Sequence, residues 1–495
     1  MVDAPIDPPR HAAAALYPYV APVLRHVGWF AVFLVLAPVI GPRGYGLFML
    51  ALSGIAIAEA LLAETACQAL VDLPAIEERH WSTALVTLFA AGGAIWLVLH
   101  AVTGAIGATS DEPALRDMFQ SLAILPLLGA LTVVPSAALR REGRQAPLVA
   151  ASAAGFAAGG GIAVSLAWAG AGPWSLVAQI IVQRLVECVV LWGIPGERIG
   201  LAWSRRHFVD LVGAFDRRAL GAAWPAVSRY GPCLVVGLTL GPAATGLYML
   251  AGRLAEALAD IFLAGEDSQA PREIVRRACR VALPAVLAST LLAIALPPLL
   301  DLRWWGAVLP AQILLLGAIP SAIIMMRVAC AAPRADEPSW RAVQALGGVA
   351  LVALAARYGL MAVATASVGW ATVIALTSLW PIRRHFEADW DAVLAPIVRP
   401  CGGAVIAGFI LFTAADPVGL ALAPVPALCL LTASGWLAYL LIRGDRRVCS
   451  NPWRNSPPES PGRRNLTPLI LALATCGVRK RREVAAVGRI KRPSA

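Results

Sequence analysis

Apolar runs of roughly 20 residues, separated by charged stretches or Gly-Pro turns, follow one another from about residue 20 to residue 442, each long enough to cross a bilayer as a helix. They lie near 20–40, 44–67, 82–106, 116–139, 146–169, 173–194, 219–240, 243–265, 279–300, 307–331, 342–356, 360–382, 395–414 and 418–442. With 59% hydrophobic and 14% charged residues, the chain is far from the composition of a soluble domain. The expected fold class is an all-α polytopic membrane protein of about 14 transmembrane helices. The first run follows a Pro-rich, Asp-containing start and is too long for the core of a cleavable signal, so the first helix is expected to stay in the membrane.

Arginine placement sets the orientation, because basic residues in short loops are retained on the cytoplasmic side. One alternate set of loops carries Arg79; Arg140, Arg141 and Arg144; Arg198, Arg205, Arg206, Arg217 and Arg218; Arg272, Arg276, Arg277 and Arg280; Arg334 and Arg341; Arg383 and Arg384. The other set holds only Arg43, Arg116, Arg303 and Arg357. Both termini are therefore expected in the cytoplasm, which agrees with an even number of helices.

The segment Gly41-Pro42-Arg43-Gly44-Tyr45-Gly46-Leu47-Phe48-Met49-Leu50 recurs as Gly241-Pro242-Ala243-Ala244-Thr245-Gly246-Leu247-Tyr248-Met249-Leu250. Internal repeats decide architecture before any local reading does. About six helices separate the two copies, an even number, so both halves enter the membrane in the same direction and the repeat is parallel. The domain plan is a cytoplasmic N-terminal segment 1–19, a six-helix bundle 20–194, a basic cytoplasmic linker 195–218, a second six-helix bundle 219–382, two appended helices within 383–442, and a basic tail 443–495. Halves of this kind enclose a substrate path between them.

Catalysis finds little room, since no outer loop is much longer than about a dozen residues. Lysine occurs only at Lys480 and Lys491, so no phosphate-cradling Gly-Lys-Ser/Thr loop exists, and no enzyme activity is expected. The nine cysteines are scattered without a Cys-x-x-Cys pair, and His11, His26, His80, His100, His207 and His385 are likewise dispersed, so neither metal nor cofactor is expected. His26 and His100 read as loop or interface histidines, with a proton relay as the lesser alternative.

Charges inside the apolar runs carry the functional signal, because an ionised side chain in the bilayer is costly and faces a bundle interior or a wet cavity. Arg184, Arg229 and Arg253 fall near the middle of runs six, seven and eight, which suggests an anion path; Arg25 lies where its stem can also snorkel to the interface, and Arg327 lies at a helix end. Arg253, Glu256 and Asp260, spaced three and four apart, share one helical face, as do Arg184 and Glu187. Either these are ion pairs within one helix that lower the cost of burying arginine, or the arginines take substrate phosphate while the carboxylates gate or couple the cycle. Glu59 and Glu64, five apart, point to different faces, so at least one lacks a neighbour on its own helix. The candidate substrate-binding residues are thus Arg25, Arg184, Arg229 and Arg253, and the candidate gating or coupling residues Glu59, Glu64, Glu187, Glu256 and Asp260.

The run Gly41-Pro42-x-x-Tyr45-Gly46-Leu47-Phe48 with Gln68-Ala69-Leu70-Val71 resembles the opening helices of the Wzx-type oligosaccharide flippases, polysaccharide transporters of the MATE-like MOP superfamily. Pro135-x-x-x-Leu139-Arg140-Arg141-Glu142 resembles that family's end of helix four, and Gly172-Pro173-Trp174-Ser175-Leu176-Val177-Ala178-Gln179 its start of helix six. Gly237-x-x-Leu240-Gly241-Pro242-x-x-x-Gly246-Leu247-Tyr248-x-x-Ala251-x-Arg253 is the fullest match, so the likeness covers roughly residues 20–260. The resemblance implies export across the bacterial inner membrane of a polyprenyl-diphosphate-linked oligosaccharide, the repeat unit of an exopolysaccharide or lipopolysaccharide O-chain, by alternating access of two bundles. It also implies cavity-lining arginines on helices one and eight, here Arg25 and Arg253, and the polysaccharide polymerase and export machinery as partners. Relatives often carry an arginine before the first Gly-Pro turn and Asn-x-Asp in helix seven, where this chain has Pro38, Tyr230 and Pro232, so those contacts do not carry over.

Residues 451–495 are Pro- and Arg-rich and hold +8 of the formal +11 charge, and the apolar stretch 466–478 is too short to span. A disordered cytoplasmic tail touching anionic lipid is expected, and an accidental extension of the reading frame fits equally; without interleaved aromatics, nucleic-acid binding is not expected. The alternative function is a MATE-type exporter of drugs or cations, whose cargo midplane arginines would repel. A third class, a non-transporting scaffold, requires that removing charge at Arg229 and Arg253 leaves surface polymer unaltered.

Overall fold

The computed structural model describes residues 9–109, 112–194, 200–215, 221–263, 301–317, 320–321, 324 and 337–386. All lie in the unit Met1–Asp445. The expected runs 279–300, 395–414 and 418–442, together with Arg327 and the basic tail, lie outside the described residues.

The helices are α1 Pro9–Asp72, α2 Glu78–Thr109, α3 Pro113–Leu122, α4 Leu125–Arg141, α5 Gln145–Trp168, α6 Trp174–Gly193, α7 Arg205–Ala214, α8 Trp224–Leu240, α9 Pro242–Leu263, α10 Val308–Leu316, α11 Glu337–Ala355 and α12 Leu360–Phe386. No strand occurs among the described residues. This is an all-α membrane protein: in lipid each backbone polar group must be satisfied within its own segment, and helices do that. Seven described segments are long and apolar enough to cross a membrane.

Helix α1 is in fact two arms. Gly41 interrupts it with φ 66° and ψ 170°, a conformation that side-chain-bearing residues rarely adopt. The Phe33 and Tyr45 rings meet at 5.2 Å, whereas 12 residues of straight helix would separate them by about 18 Å. The chain therefore doubles back at Gly41, as the runs 20–40 and 44–67 anticipate. Gly241, between α8 and α9, repeats the geometry with φ 87° and ψ 175°, so the sequence repeat is also a repeat of backbone conformation.

The two copies touch. A methyl group built on Gly46 would lie 1.7 Å from the carbonyl oxygen of Pro242, and one built on Gly246 would lie 2.0 Å from that of Pro42. Such reciprocity is what a pseudo-two-fold axis between parallel repeats produces. Around this crossing lies the main core, with Leu36, Met49, Met118, Leu122, Leu250 and Trp304 each at most 1% exposed. In the N-terminal half, α5 lies on α6 through Gly155 and Gly159, one turn apart, whose added methyls would meet the carbonyl oxygens of Gln183 and Gln179 at 2.6 and 2.5 Å. Small residues at such spacing let membrane helices approach to backbone contact.

Several boundaries differ from the sequence expectation. Helix α1 begins at Pro9, inside the segment 1–19 expected to precede the first span. The run 116–139 is broken at Ala123 and Ile124, because Pro126 in the first turn of α4 has no N–H to give Leu122. The run 342–356 is the later part of the longer helix Glu337–Ala355, and the linker contains the helix α7.

Helix α7 docks on the N-terminal half through a pair of histidines that their sequence separation gave no reason to join. His80 and His207 rings stand edge to face at 4.3 Å. His207 Nε2 is 3.1 Å from Glu77 Oε2 and His80 Nε2 is 3.6 Å from Asp210 Oδ2. The His207 contact holds the Glu77 carboxyl below the usual carboxylate range. Glu77, His80 and His207 could together approach a metal ion. The Glu77 backbone N–H, however, donates to His80 Nδ1 at 2.9 Å, which leaves the proton on Nε2 and removes the lone pair a metal would need there.

Candidate functional site

Where the two repeats face each other, three arginines from the middle of the apolar runs have three different surroundings. Arg184 on α6 is claimed twice: its Nη2 is 2.9 Å from Glu59 Oε1 on the second arm of α1, and its Nη1 is 3.2 Å from Glu187 Oε2 one turn along. Ser152 on α5 donates to Glu187 Oε1 at 3.1 Å. Two carboxylates around one guanidinium give this cluster a formal charge of −1, and the Arg184 Nε is buried without a partner. The Arg184–Glu187 pair expected from spacing is present, joined by Glu59, which is buried, while Glu64 is exposed.

Arg229 on α8 reaches across to α9, its Nε 2.9 Å from Glu256 Oε1. The sequence offered Glu256 to Arg253 on its own helix; the fold instead gives its nearest ion pair to the neighbouring helix. Arg229 and Glu256 line a cavity of about 280 Å³ with Ser228, Tyr248, Ser321 and Ser367. The second carboxylate oxygen of Glu256 is buried without a partner. Ser228 borders the cavity one turn before Pro232, whose missing N–H leaves the Ser228 carbonyl without its helical partner.

Arg253 on α9 makes no ion pair among the described residues. Its guanidinium carbon lies 5.9 Å from the ring centroid of Trp29, on the first arm of α1, within cation–π range. The Tyr45 hydroxyl, on the second arm, accepts a hydrogen bond from it, and Tyr230 and Glu256 lie within its electrostatic reach. Its Nε is buried and unpartnered. Tyr230 is also within reach of Arg184, so one phenol stands between the two arginines. The charge accounting therefore concentrates the anion-seeking capacity on Arg253: Arg184 is over-neutralised, Arg229 is neutralised by Glu256, and Arg253 faces aromatic rings and a hydroxyl.

Arg25 and Asp260 lie in α1 and α9, with side chains outside the described ones. His100 bonds Gln120 at 3.1 Å. Trp29, Tyr45 and Tyr230 are the members of the site that arginine spacing did not find. Tyr45 was visible inside the repeated segment, where its counterpart is Thr245 and the two copies depart from each other. Arg141, one of the basic loop residues that set the expected orientation, caps the end of α1: its Nη1 donates to the carbonyls of Leu70, Val71 and Leu73 at 3.1, 2.9 and 2.7 Å.

The architecture is shared with solved transporters. An inward-facing multidrug resistance MATE family transporter of the MOP superfamily aligns with a TM-score of 0.56 at 15% identity, covering 75% of this chain and 98% of that one. Lipid II flippase MurJ, in an inward closed conformation, aligns with a TM-score of 0.63 at 10% identity over 88% of this chain and 98% of that one. Residues 35–264 match the polysaccharide biosynthesis protein family. No curated protein matches the chain in sequence. The matched stretch runs from the first arm of α1 through α9, so both Gly-Pro turns, Arg184, Arg229 and Arg253 fall within it. The chain is a multi-pass membrane protein, and the bacterial inner membrane fits the matched family.

Proposed function

We propose that this transporter flips polyprenyl-diphosphate-linked oligosaccharide repeat units across the bacterial inner membrane, for exopolysaccharide or lipopolysaccharide O-chain synthesis. The observation that carries the reading is Arg253, a cation at the interface of the two repeats with no carboxylate of its own among the described residues. A guanidinium stays charged in a low-dielectric site and matches phosphate oxygens in a planar fork. Trp29 offers a ring beside it, a suitable surface for a sugar face. The bundles rock about the bound head group while the polyprenyl chain remains in lipid.

A specific observation favours a second reading, export of an organic cation: two carboxyl groups, Glu59 and Glu187, converge on the single guanidinium of Arg184 in the N-terminal half. Deletion of the gene, complemented by the wild type or by Arg253→Ala, separates the two. Flipping predicts lost surface polymer and lipid-linked repeat units held on the cytoplasmic leaflet, rescued by the wild type and not by the folded variant. Normal polymer in a deletion strain without a second flippase contradicts it and favours the cation exporter.

A further inference from the structure

A proline in a membrane helix leaves the carbonyl four residues earlier without its helical donor, and the surroundings must supply one. Two such carbonyls are served here by side chains from elsewhere. Pro135 orphans the Leu131 carbonyl, which accepts from the Trp192 indole N–H at 3.0 Å. Pro42 orphans the Pro38 carbonyl, which accepts from Arg303 Nη2 at 2.6 Å. Next to it, the Ala37 carbonyl accepts from the Trp304 indole N–H at 3.1 Å.

The two caps differ in what they join. Leu131 and Trp192 both belong to the N-terminal half, on α4 and α6, and they stay together however the halves move. Arg303 and Trp304 precede α10 in the C-terminal half and grip the first arm of α1 in the N-terminal half, so their bonds must break if the halves part at the Gly41 face. The contact is built as a strap. Asp301 Oδ2 accepts from Arg303 Nε at 2.7 Å and fixes the guanidinium. Trp304 is 1% exposed, edge-on to Phe33 at 5.2 Å and 6.0 Å from the Tyr45 ring. Tyr45 is the hydroxyl that Arg253 engages, so the strap and the candidate cargo site share a residue.

We propose that Arg303 and Trp304 are gating residues: they close the Gly41 face by bonding two carbonyls at the end of the first arm, that of Pro38, which Pro42 leaves bare, and that of Ala37 beside it, and their release opens that face. The Gly-Pro turn thus makes both the hairpin and one of the acceptors that lock it. The proposal rests on the alternating-access part of the reading above and not on the identity of the cargo.

The test measures opening directly. Spin labels at positions 116 and 357, exposed sites in the two halves, report the width of this face in the full chain, freed of its native cysteines and held in nanodiscs. Arg303→Gln, at a side chain more than half exposed, and Trp304→Phe, which keeps a ring and removes only the N–H, are each expected to raise the ratio of wide to narrow distances by about tenfold, the loss of one hydrogen bond that exists in one state alone. Trp192→Phe removes the same kind of cap inside one half and is expected to leave the ratio unchanged. Distance distributions in both strap variants that match the wild type overturn the proposal, as does an equal shift in Trp192→Phe. Because no cargo is added, the outcome is independent of whether the cargo is an oligosaccharide lipid or a cation; a strap that opens in a protein that fails to flip lipid contradicts only the cargo reading.

Discussion

Gly46→Ala and Gly246→Ala are each expected to prevent assembly of the folded protein. At these positions the obstacle to a methyl group is backbone, the carbonyl of the partner repeat's Pro242 or Pro42, at 1.7 and 2.0 Å. A side chain in the way can change rotamer; a carbonyl held at the start of a helix cannot, so the two hairpins must separate to admit the methyl. The cost is expected to exceed the roughly 1–3 kcal/mol of ordinary overpacking, a large part of the stability of a marginally stable fold. Membrane-inserted protein recovered in mild detergent as a single size-exclusion peak measures it. Near-complete loss of that peak is expected for both, against little change for Gly93→Ala, where no atom from another segment lies within 4 Å of the added carbon. A normal yield from either repeat variant would show that the crossing is looser than this geometry.

Arg184→Ala is the second large effect, and its cause is electrostatic. The substitution leaves Glu59 and Glu187, with side chains 11% and 15% exposed, facing each other without a cation. Removing one partner of a buried ion pair costs about 3–5 kcal/mol, because the charge left behind stays desolvated. Added Glu59→Gln is expected to restore much of the loss, since the pair as a whole contributes little compared with what breaking it destroys. Thermal unfolding of the purified variants reads this out: a large fall in midpoint for Arg184→Ala and partial recovery in the double variant. A single variant as stable as the wild type, with transport lost per folded molecule, would instead place Arg184 on the cargo.

The apolar runs, the alternating arginines and the repeated Gly-Pro segment made the helical membrane fold and its two-copy construction legible, because each is a local pattern that lipid or a tight turn enforces directly. The Gly41 and Gly241 conformations follow from the same turn chemistry. Partnerships across helices were not legible. Spacing placed Arg253 and Glu256 on one face but could not tell that Arg229 approaches from α8. The dispersed histidines looked unrelated until α7 brought His207 to His80 across 127 residues. Proline arithmetic was the unused signal: Pro42 and Pro135 announce bare carbonyls at Pro38 and Leu131 in the sequence, although not that Arg303 and Trp192 would fill them.

The central claim is that Arg253 holds the diphosphate of a lipid-linked oligosaccharide while it changes leaflet. Purified transporter reconstituted into liposomes with a fluorescent polyprenyl-diphosphate oligosaccharide tests it, with a membrane-impermeant quencher reporting the leaflet. Wild-type protein is expected to move the lipid, and Arg253→Ala, at equal folded amount, to move it about 10–100-fold more slowly, the loss of a hydrogen-bonded charge contact of about 1.5–3 kcal/mol. Equal rates for the two proteins, or no movement by the wild type above empty liposomes, would contradict the account.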